Sequence, residues 1–336
     1  MRRDGRGSGG GRFGGSRPGL AVGQGQAEQE GGGKQASGKW HRARREAGRN
    51  RSVTEPDGSY FPIVLDIRVR ILSLRPPFHF PVQLRIQFAL TQLEATHGIR
   101  ILFACESGSR AWGFPSPDSD YDVRFIYSHP ADWYLTLEEG PDTLSFPVDD
   151  ELDLGGWELR KTLKLLRGSN AALFEWLQSP VVYREAAGFR AALGPLLPVC
   201  WNPRAGLHHY LGQLRRGVEE DLTGEQVRLK RLFYALRATL AARWIQQRPT
   251  EVPPMEFRPL RELLPTELTG TVDELLARKA TADEKTTVPR PALLVAYLQQ
   301  EYAAGQVARA TLPVPRHPEP TLALDAVFRA WLQPQP

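Results

Sequence analysis

Two aspartates separated by one residue, Asp120 and Asp122, follow a glycine–serine pair, Gly108 and Ser109, in the stretch GSRAWGFPSPDSDYD. The apolar run VRFIY comes next, which predicts that Asp122 enters a buried strand. Side chains alternate across a strand, so the two carboxylates project together and Tyr121 projects away from them. Two carboxylates on one face repel unless a cation neutralises them, and hard oxygen ligands suit Mg²⁺ or Mn²⁺ shared with phosphate oxygens.

The glycine–serine pair lies between an apolar run, RILFACE, and a predicted short helix over residues 109–112. A turn that opens a helix presents backbone N–H groups and, here, a hydroxyl, and this combination binds phosphate. Arg110 follows directly and is placed to reach the same phosphate. An isolated Asp-x-Asp pair is more often a solvated strand end. The adjoining turn is what favours a site for a metal–nucleoside triphosphate.

The elements around these residues form a mixed pattern. The segment QLRIQFALTQLEATHGI predicts an amphipathic helix that ends at Gly98. Its apolar stripe comprises Leu84, Ile86, Phe88, Leu90 and Leu93. The runs RILFACE and YDVRFIYS and residues 151–154 predict strands, whereas the chain after Lys161 reads mostly as helices. This order predicts an α+β protein, with a small mixed-sheet domain over 82–185 and an α-helical domain over 186–333.

The first 78 residues differ in composition from the rest of the chain. Residues 1–58 hold 16 of the 31 glycines, and residues 1–78 carry 15 Lys/Arg against 7 Asp/Glu. Such a Gly/Arg-rich segment buries too little apolar surface to fold, so we predict a disordered tail or a wrongly assigned start codon. Residues 79–336 carry 28 Lys/Arg against 31 Asp/Glu, so the net charge of +5 does not indicate that the folded part binds nucleic acid.

The two cysteines, Cys105 and Cys200, are too few for a disulfide framework and fit a reducing compartment, so we expect a cytoplasmic protein. No apolar stretch approaches the ~20 residues of a membrane span, so no membrane partner is expected. His208 and His209 have no partner ligand at zinc spacing. The oligomeric state is not predicted by these features.

The glycine–serine pair followed by Asp-Tyr-Asp on a strand resembles the signature of the DNA polymerase β nucleotidyltransferase superfamily. The run RILFACESGSRAWGFPSPDSDYDVRFIY, with DWYL after it, resembles one branch closely, the RlaP-type nucleotidyltransferases associated with RNA repair. The likeness extends from Gln83 to Gln333. It implies a metal-dependent transfer of a nucleoside monophosphate from a nucleoside triphosphate such as ATP to a hydroxyl. The acceptor stays open between an RNA end, a protein hydroxyl and a small molecule.

Two other functions remain as alternatives to this transferase. One is a non-catalytic module that binds a nucleotide or RNA. The other is an antitoxin-like protein that modifies a partner protein by nucleotide transfer. Loss of the paired carboxylates would have indicated the first of these, but both aspartates are present.

The superfamily resemblance further implies a third carboxylate from a later strand that completes the metal site. The candidates are Asp149, Asp150, Glu151 and Asp153. Asp153 lies between two leucines, and its family role would be the general base that takes the proton from the acceptor. Glu151 shares its face by strand alternation and is the second choice, whereas the first two aspartates fit a turn.

A helix predicted over residues 225–247 supplies candidate ligands for the triphosphate. Its core stripe comprises Leu229, Leu232, Phe233, Leu236, Leu240 and Trp244. Lys230, Tyr234 and Arg237 recur at helical spacing on an adjacent flank, and a similar helix in the resembled family favours nucleotide binding over an ordinary solvated face. Both basic residues are predicted to be replaceable without loss of folding. Arg124 shares the strand face of the aspartates and fits a phosphate contact and an internal salt bridge equally well.

Overall fold

A computed structural model describes residues 81–146, 151–313 and 319–332. The predicted tail over 1–78 lies outside the described residues, as do Asp149 and Asp150. No helix in the described ranges has the length and apolar character needed to cross a membrane.

A five-stranded mixed sheet forms the first half of the described chain, which confirms the α+β class. Its strand order is β3-β4-β2-β1-β5, with β2 and β4 parallel and the other neighbours antiparallel. The strands are β1 (Arg100–Glu106), β2 (Tyr121–Ser128), β3 (Thr143–Ser145), β4 (Leu152–Glu158) and β5 (Val182–Glu185). The parallel β2–β4 pair lies at the centre of the sheet and carries the acidic residues.

One face of the sheet is covered by α1 (Val82–His97), as the amphipathic pattern predicts. The helix ends at Gly98, whose φ of 59° is the left-handed conformation that glycine adopts most easily. Ile86 and Leu90 of α1 pack with the apolar side chains of β2 and β4. Two predicted core positions, Leu84 and Phe88, are instead 54% and 36% exposed, because only part of the apolar stripe reaches the sheet.

The other face of the sheet continues into a helical region. The further α-helices of the described ranges are α2 (Ser109–Trp112), α3 (Leu159–Arg167), α4 (Ala171–Gln178), α5 (Phe189–Leu193), α6 (Leu197–Cys200), α7 (Pro203–Arg216), α8 (Leu229–Gln247), α9 (Phe257–Leu260), α10 (Thr266–Thr281), α11 (Ala292–Thr311) and α12 (Thr321–Leu332). A second sheet pairs β6 (Gln226–Arg228) with β7 (Thr287–Pro289). One large apolar core joins Phe103 and Ile126 of the first sheet to Phe233 of α8.

Two boundaries differ from the sequence expectation. Residues 226–228 form β6 rather than the start of α8, because Thr287–Pro289 offers a partner strand that no local pattern announces. The strand expected over 151–154 runs on to Glu158 through two glycines, Gly155 and Gly156, which the alternating pattern does not include. The predicted division near residue 185 stays a prediction.

Candidate active site

The glycine–serine turn brings the backbone of Gly108 into contact with the carboxylate of Asp122. A Cβ atom at this glycine would overlap Asp122 Oδ2 and lie 2.7 Å from Cγ, so no side chain fits there. The turn opens α2, whose N–H groups at Ala111 and Trp112 bond back to the Gly108 carbonyl. The glycine is therefore required by a close approach to the carboxylate.

A buried glutamate, Glu106, fixes the turn and the strand to each other. Its Oε1 accepts the backbone N–H of Asp122 at 2.9 Å and that of Gly108 at 3.3 Å. Its Oε2 accepts the hydroxyl of Tyr183 at 2.6 Å, and the Glu106 side chain is fully buried. Glu106 is the last residue of the strongly apolar strand β1, and a charged residue there is a signal of a buried polar contact that sequence reasoning overlooked.

Asp122 and Asp153 lie side by side on the sheet. They are register partners in the parallel β2–β4 pair, while Leu152 and Leu154 point into the core under α1. Arg124 joins the two carboxylates through Nη2, at 3.4 Å from Asp122 Oδ1 and 2.8 Å from Asp153 Oδ2. The structure thus brings Asp122 and Asp153 together, and Arg124 forms an internal salt bridge with both of them.

The acidic side chains carry an electrostatic cost in the absence of a ligand. Burial, opposed by Arg124 and reinforced by the charges of Glu106 and Asp153, raises the pKa of Asp122 to about 6. Burial and the neighbouring charge of Glu284 raise the pKa of Asp120 as well, although Lys230 opposes this shift. A site that disfavours carboxylate charge in this way is stabilised when a cation enters it.

Helix α8 brings two of its three predicted ligands to the acidic residues. Lys230 lies close enough to lower the pKa of both Asp120 and Asp122. Burial raises the pKa of Tyr234, and the charges of the same two aspartates raise it further. The Tyr234 ring packs edge-on against Trp112 of α2, with centroids 4.9 Å apart. These two side chains therefore lie near both aspartates.

Arg237 occupies a different position from the one expected. The residue is 1% exposed rather than on an open flank, because α8 is buried on nearly all sides. Its guanidinium pairs with Glu175 at 2.9 Å, donates to the Met255 carbonyl at 2.9 Å and lies 4.4 Å from the centre of the Trp112 ring. The expectation that Arg237 can be replaced without loss of folding is corrected by this burial.

The first residues of α2 contact the acidic turn. Arg110 donates to the carbonyls of Ser119, at 2.6 Å, and Asp120, at 3.3 Å, while its guanidinium stacks on Tyr121. The Ser109 hydroxyl bonds to that of Ser119 at 3.1 Å. Both side chains are thus engaged with the turn that carries the aspartates, so their proposed contact with phosphate requires these bonds to be shared or exchanged.

Glu151 is the second choice for the third carboxylate, and its side chain is bound by a residue of α1 rather than by the residues around Asp122. Its Oε1 accepts from Arg85 of α1 at 2.6 Å. Asp153, in contrast, shares the guanidinium of Arg124 with Asp122. This arrangement favours Asp153 as the partner of the aspartate pair.

The donor set fits a divalent cation by its chemistry. Carboxylate oxygens are hard ligands, and the raised pKa values of Asp120 and Asp122 indicate charge that a cation would relieve. Across the described ranges, no three His, Cys, Asp or Glu side chains already converge as a metal cluster. Asp120 and Asp122 are the residues that would hold Mg²⁺ or Mn²⁺, and Asp153 would join them once its bond to Arg124 is shared.

An open cavity of about 700 Å³ lies elsewhere, between α7 and α11. It is lined by Arg204, Ala205, His208, Gln306, Arg309 and Ala310. Arg204 donates to the carbonyls of Ala310 and Leu312 at the end of α11, and Arg309 contacts His208, so these groups serve local contacts. Chemistry and proximity, not cavity size, identify the acidic site.

Replacing Gly108 by alanine tests the close approach. The new methyl group would displace the Asp122 carboxylate, so we expect a destabilisation of about 1–3 kcal/mol and the loss of any activity that depends on this carboxylate. Thermal melting and an activity assay measure the two effects. Gly212→Ala is the matched control, because nothing lies within 4 Å of the added carbon. Full activity in Gly108→Ala would show that this contact does not shape the site.

The raised pKa of Asp122 predicts a pH dependence of stability. The folded-state value of about 6 exceeds the ordinary value of 3.8, so the folded protein binds this proton more tightly than the unfolded chain does. Stability from this group is therefore lost as the pH rises from about 4 to about 6. Over that range the metal-free wild type should lose about 1–3 kcal/mol more free energy of unfolding than Asp122→Asn. Parallel stability curves for the two proteins would contradict the shift.

The helical region contributes a residue that sequence reasoning missed. Glu284, between α10 and β7, pairs with Lys230 at 2.5 Å and accepts from the Ser119 hydroxyl at 3.2 Å. It is separated from the aspartates by more than 160 positions. No local pattern could have linked it to them.

Comparison with known proteins finds similarity over the part of the chain that forms the sheet and the helical region. A family model described as "RlaP: RNA repair pathway DNA polymerase beta family" matches residues 82–330. A protein of Bacillus subtilis (strain 168), described as "Uncharacterized protein YcgL", is 42% identical over 219 residues, which cover 65% of this chain and 84% of that protein. The family match begins at the first residue of α1 and ends within α12, so it includes both the sheet and the helical region.

Proposed function

This chain belongs to the RlaP, RNA repair pathway DNA polymerase beta family, and on that premise we propose that it is a metal-dependent nucleotidyltransferase. The substrate would be a nucleoside triphosphate, and the acceptor a hydroxyl, with an RNA end favoured by the family description. The observation that carries the proposal is the register of Asp122 with Asp153 beside the Gly108 turn, with Lys230 of α8 close to both acidic residues of the Asp-x-Asp pair.

The proposed reaction forms one bond and breaks another at the α-phosphorus. The acceptor oxygen bonds to this phosphorus, the bond from the phosphorus to the oxygen that bridges to the β-phosphate breaks, and pyrophosphate leaves with that electron pair. Asp153 would take the hydroxyl proton, which then passes to solvent. A bound Mg²⁺ or Mn²⁺ would neutralise phosphate charge and stabilise the charge that develops on the leaving pyrophosphate.

The protein's own groups position the reactants. Lys230 would bind the triphosphate as a point charge, and Tyr234, packed on Trp112, would support the sugar or base. The backbone N–H groups of Ser109 and Arg110, at the start of α2, would donate to phosphate, since those of Ala111 and Trp112 are bonded to the Gly108 carbonyl. Arg237 would act indirectly, by holding Trp112 in place from its buried position. Such positioning supplies much of the rate of phosphoryl and nucleotidyl transfer.

The direct test supplies nucleoside triphosphates labelled at the α- or γ-phosphate, with Mg²⁺ or Mn²⁺, to the protein in the presence of total RNA or total protein. We expect α-label on an acceptor, released pyrophosphate, and no transfer of γ-label. Label on RNA supports the repair-type acceptor, and label on protein supports the antitoxin-like modifier. Binding without any transfer would support the non-catalytic module and overturn the proposed activity.

A further inference from the structure

Residues 279–284 of the helical region form hydrogen bonds with residues 116–119, the turn that precedes Asp120. The backbone N–H of Glu284 donates to Asp118 Oδ1 at 3.0 Å, and the Ser119 hydroxyl donates to Glu284 Oε1 at 3.2 Å. Nearby, Lys279 at the end of α10 donates to the Ser116 hydroxyl at 2.8 Å and is 1% exposed. Three contacts from residues 279–284 thus fix one turn of the first half of the chain.

The same glutamate reaches a second element through its other oxygen. Glu284 Oε2 accepts from Lys230 Nζ at 2.5 Å, and the two side chains are 21% and 26% exposed. Glu284 therefore connects the Ser119 hydroxyl on the acidic turn to the Lys230 ammonium on α8. The single carboxylate joins both sides of the proposed nucleotide site.

We propose that Glu284 is a positioning residue that holds Lys230 ready for the triphosphate, an inference that rests on the proposed nucleotidyltransferase function. A lysine ammonium has three donors, and Glu284 takes one of them, which leaves others for phosphate oxygens. The lysine side chain loses considerable rotamer freedom when it is fixed on a ligand. A carboxylate that restricts Lys230 beforehand reduces this cost at the moment of binding.

The contacts of Glu284 favour positioning over competition for Lys230. If Glu284 competed with the nucleotide for Lys230, its bond to the lysine would have to break when the nucleotide binds. Glu284 is instead anchored by its own backbone on Asp118 and by the Ser119 hydroxyl, so it can keep its bond to Lys230 while the remaining ammonium donors bind a phosphate. The two hypotheses predict opposite changes in nucleotide affinity when Glu284 is neutralised.

The test measures equilibrium binding of Mg²⁺ with α,β-methylene nucleoside triphosphates, which cannot undergo transfer at the α–β bond. The nucleotide that wild type binds most tightly is used for Glu284→Gln, Lys230→Ala and the double variant. Each single change should weaken binding about tenfold. The double variant should stay within about twofold of Lys230→Ala alone, since Glu284 acts through the lysine. Asp283→Asn removes a neighbouring exposed carboxylate and should leave binding unchanged.

The outcomes separate the inference from the proposed function. Multiplied effects in the double variant would show a structural role independent of Lys230, and unchanged or tighter binding by Glu284→Gln would show that Glu284 is a bystander or a competitor. Each result overturns the inference while wild-type binding keeps the function intact. Failure of the wild type to bind any nucleotide overturns the function and the inference together. Thermal melting of each variant verifies that the fold is retained.

Discussion

Replacing Asp122 by asparagine is expected to lower nucleotidyl transfer by roughly 10³-fold or more, because metal-assisted stabilisation of phosphate charge is worth several kcal/mol. The substitution would keep the size of the side chain and its fit against Gly108 while removing the charge that would hold the cation. Asp120→Asn should have a similar effect. The rate of α-label transfer at saturating nucleotide measures the loss.

The fold should survive these substitutions. The pKa of Asp122, raised to about 6, shows that its charge destabilises the metal-free protein near neutral pH, so Asp122→Asn should melt at an equal or higher temperature. Asp153→Asn should also abolish transfer, whereas Glu151→Gln should be milder, since Glu151 is held by Arg85. Asp132→Asn, an isosteric change at an exposed position, is the matched control. Near-normal transfer by Asp122→Asn would remove this residue from the site.

Arg237→Ala is expected to destabilise the protein by about 3–5 kcal/mol, because it removes one partner of a buried ion pair and leaves the other charge uncompensated. Glu175, the partner, is nearly as buried as Arg237 and would retain the Tyr210 hydroxyl, which donates to it at 2.7 Å. The free energy of unfolding in denaturant measures the effect. Any loss of nucleotide binding in this variant would follow from the loss of structure around Trp112.

A double replacement separates the ion pair from its geometry. Arg237→Met with Glu175→Met removes both charges together, and it should recover a large part of the stability lost in Arg237→Ala. Lys230→Ala is the comparison on the same helix, since Lys230 is partly exposed and its loss should leave the melting temperature nearly unchanged. If Arg237→Ala melts like the wild type, the buried pair contributes no stability, contrary to this account.

Local sequence patterns predicted the elements around the aspartates well. β1, α2 and β2 have the bounds that the apolar runs and the glycine–serine pair indicated. The alternation around Leu152 and Leu154 placed Asp153 and Glu151 on one polar face, and the family resemblance made Asp153 the first choice; Asp153 is the residue that pairs with Asp122 in the sheet. These features depend on neighbours within a few residues, and strand alternation or a tight turn expresses them directly.

Features that depend on distant packing could not be predicted in the same way. Helix α8 has a stripe of large apolar residues, but its other sides are covered too. Arg237 is therefore buried, although it lies two helical turns after Lys230 on the same flank. Glu284 meets Ser119 only because the chain returns to the sheet after α10. Helical periodicity identifies the most apolar face of a helix, but it does not predict whether the other faces are buried by distant parts of the chain.

The most direct measurement of the central proposal is the thermal stabilisation of the protein by Mg²⁺ together with an α,β-methylene nucleoside triphosphate. If the acidic site binds a metal–nucleotide, the melting temperature of the wild type rises with ligand concentration, and that of Asp122→Asn rises far less. The two proteins would differ little with either component alone. An equal rise in wild type and Asp122→Asn, or no rise in the wild type at saturating ligand, would contradict the proposal.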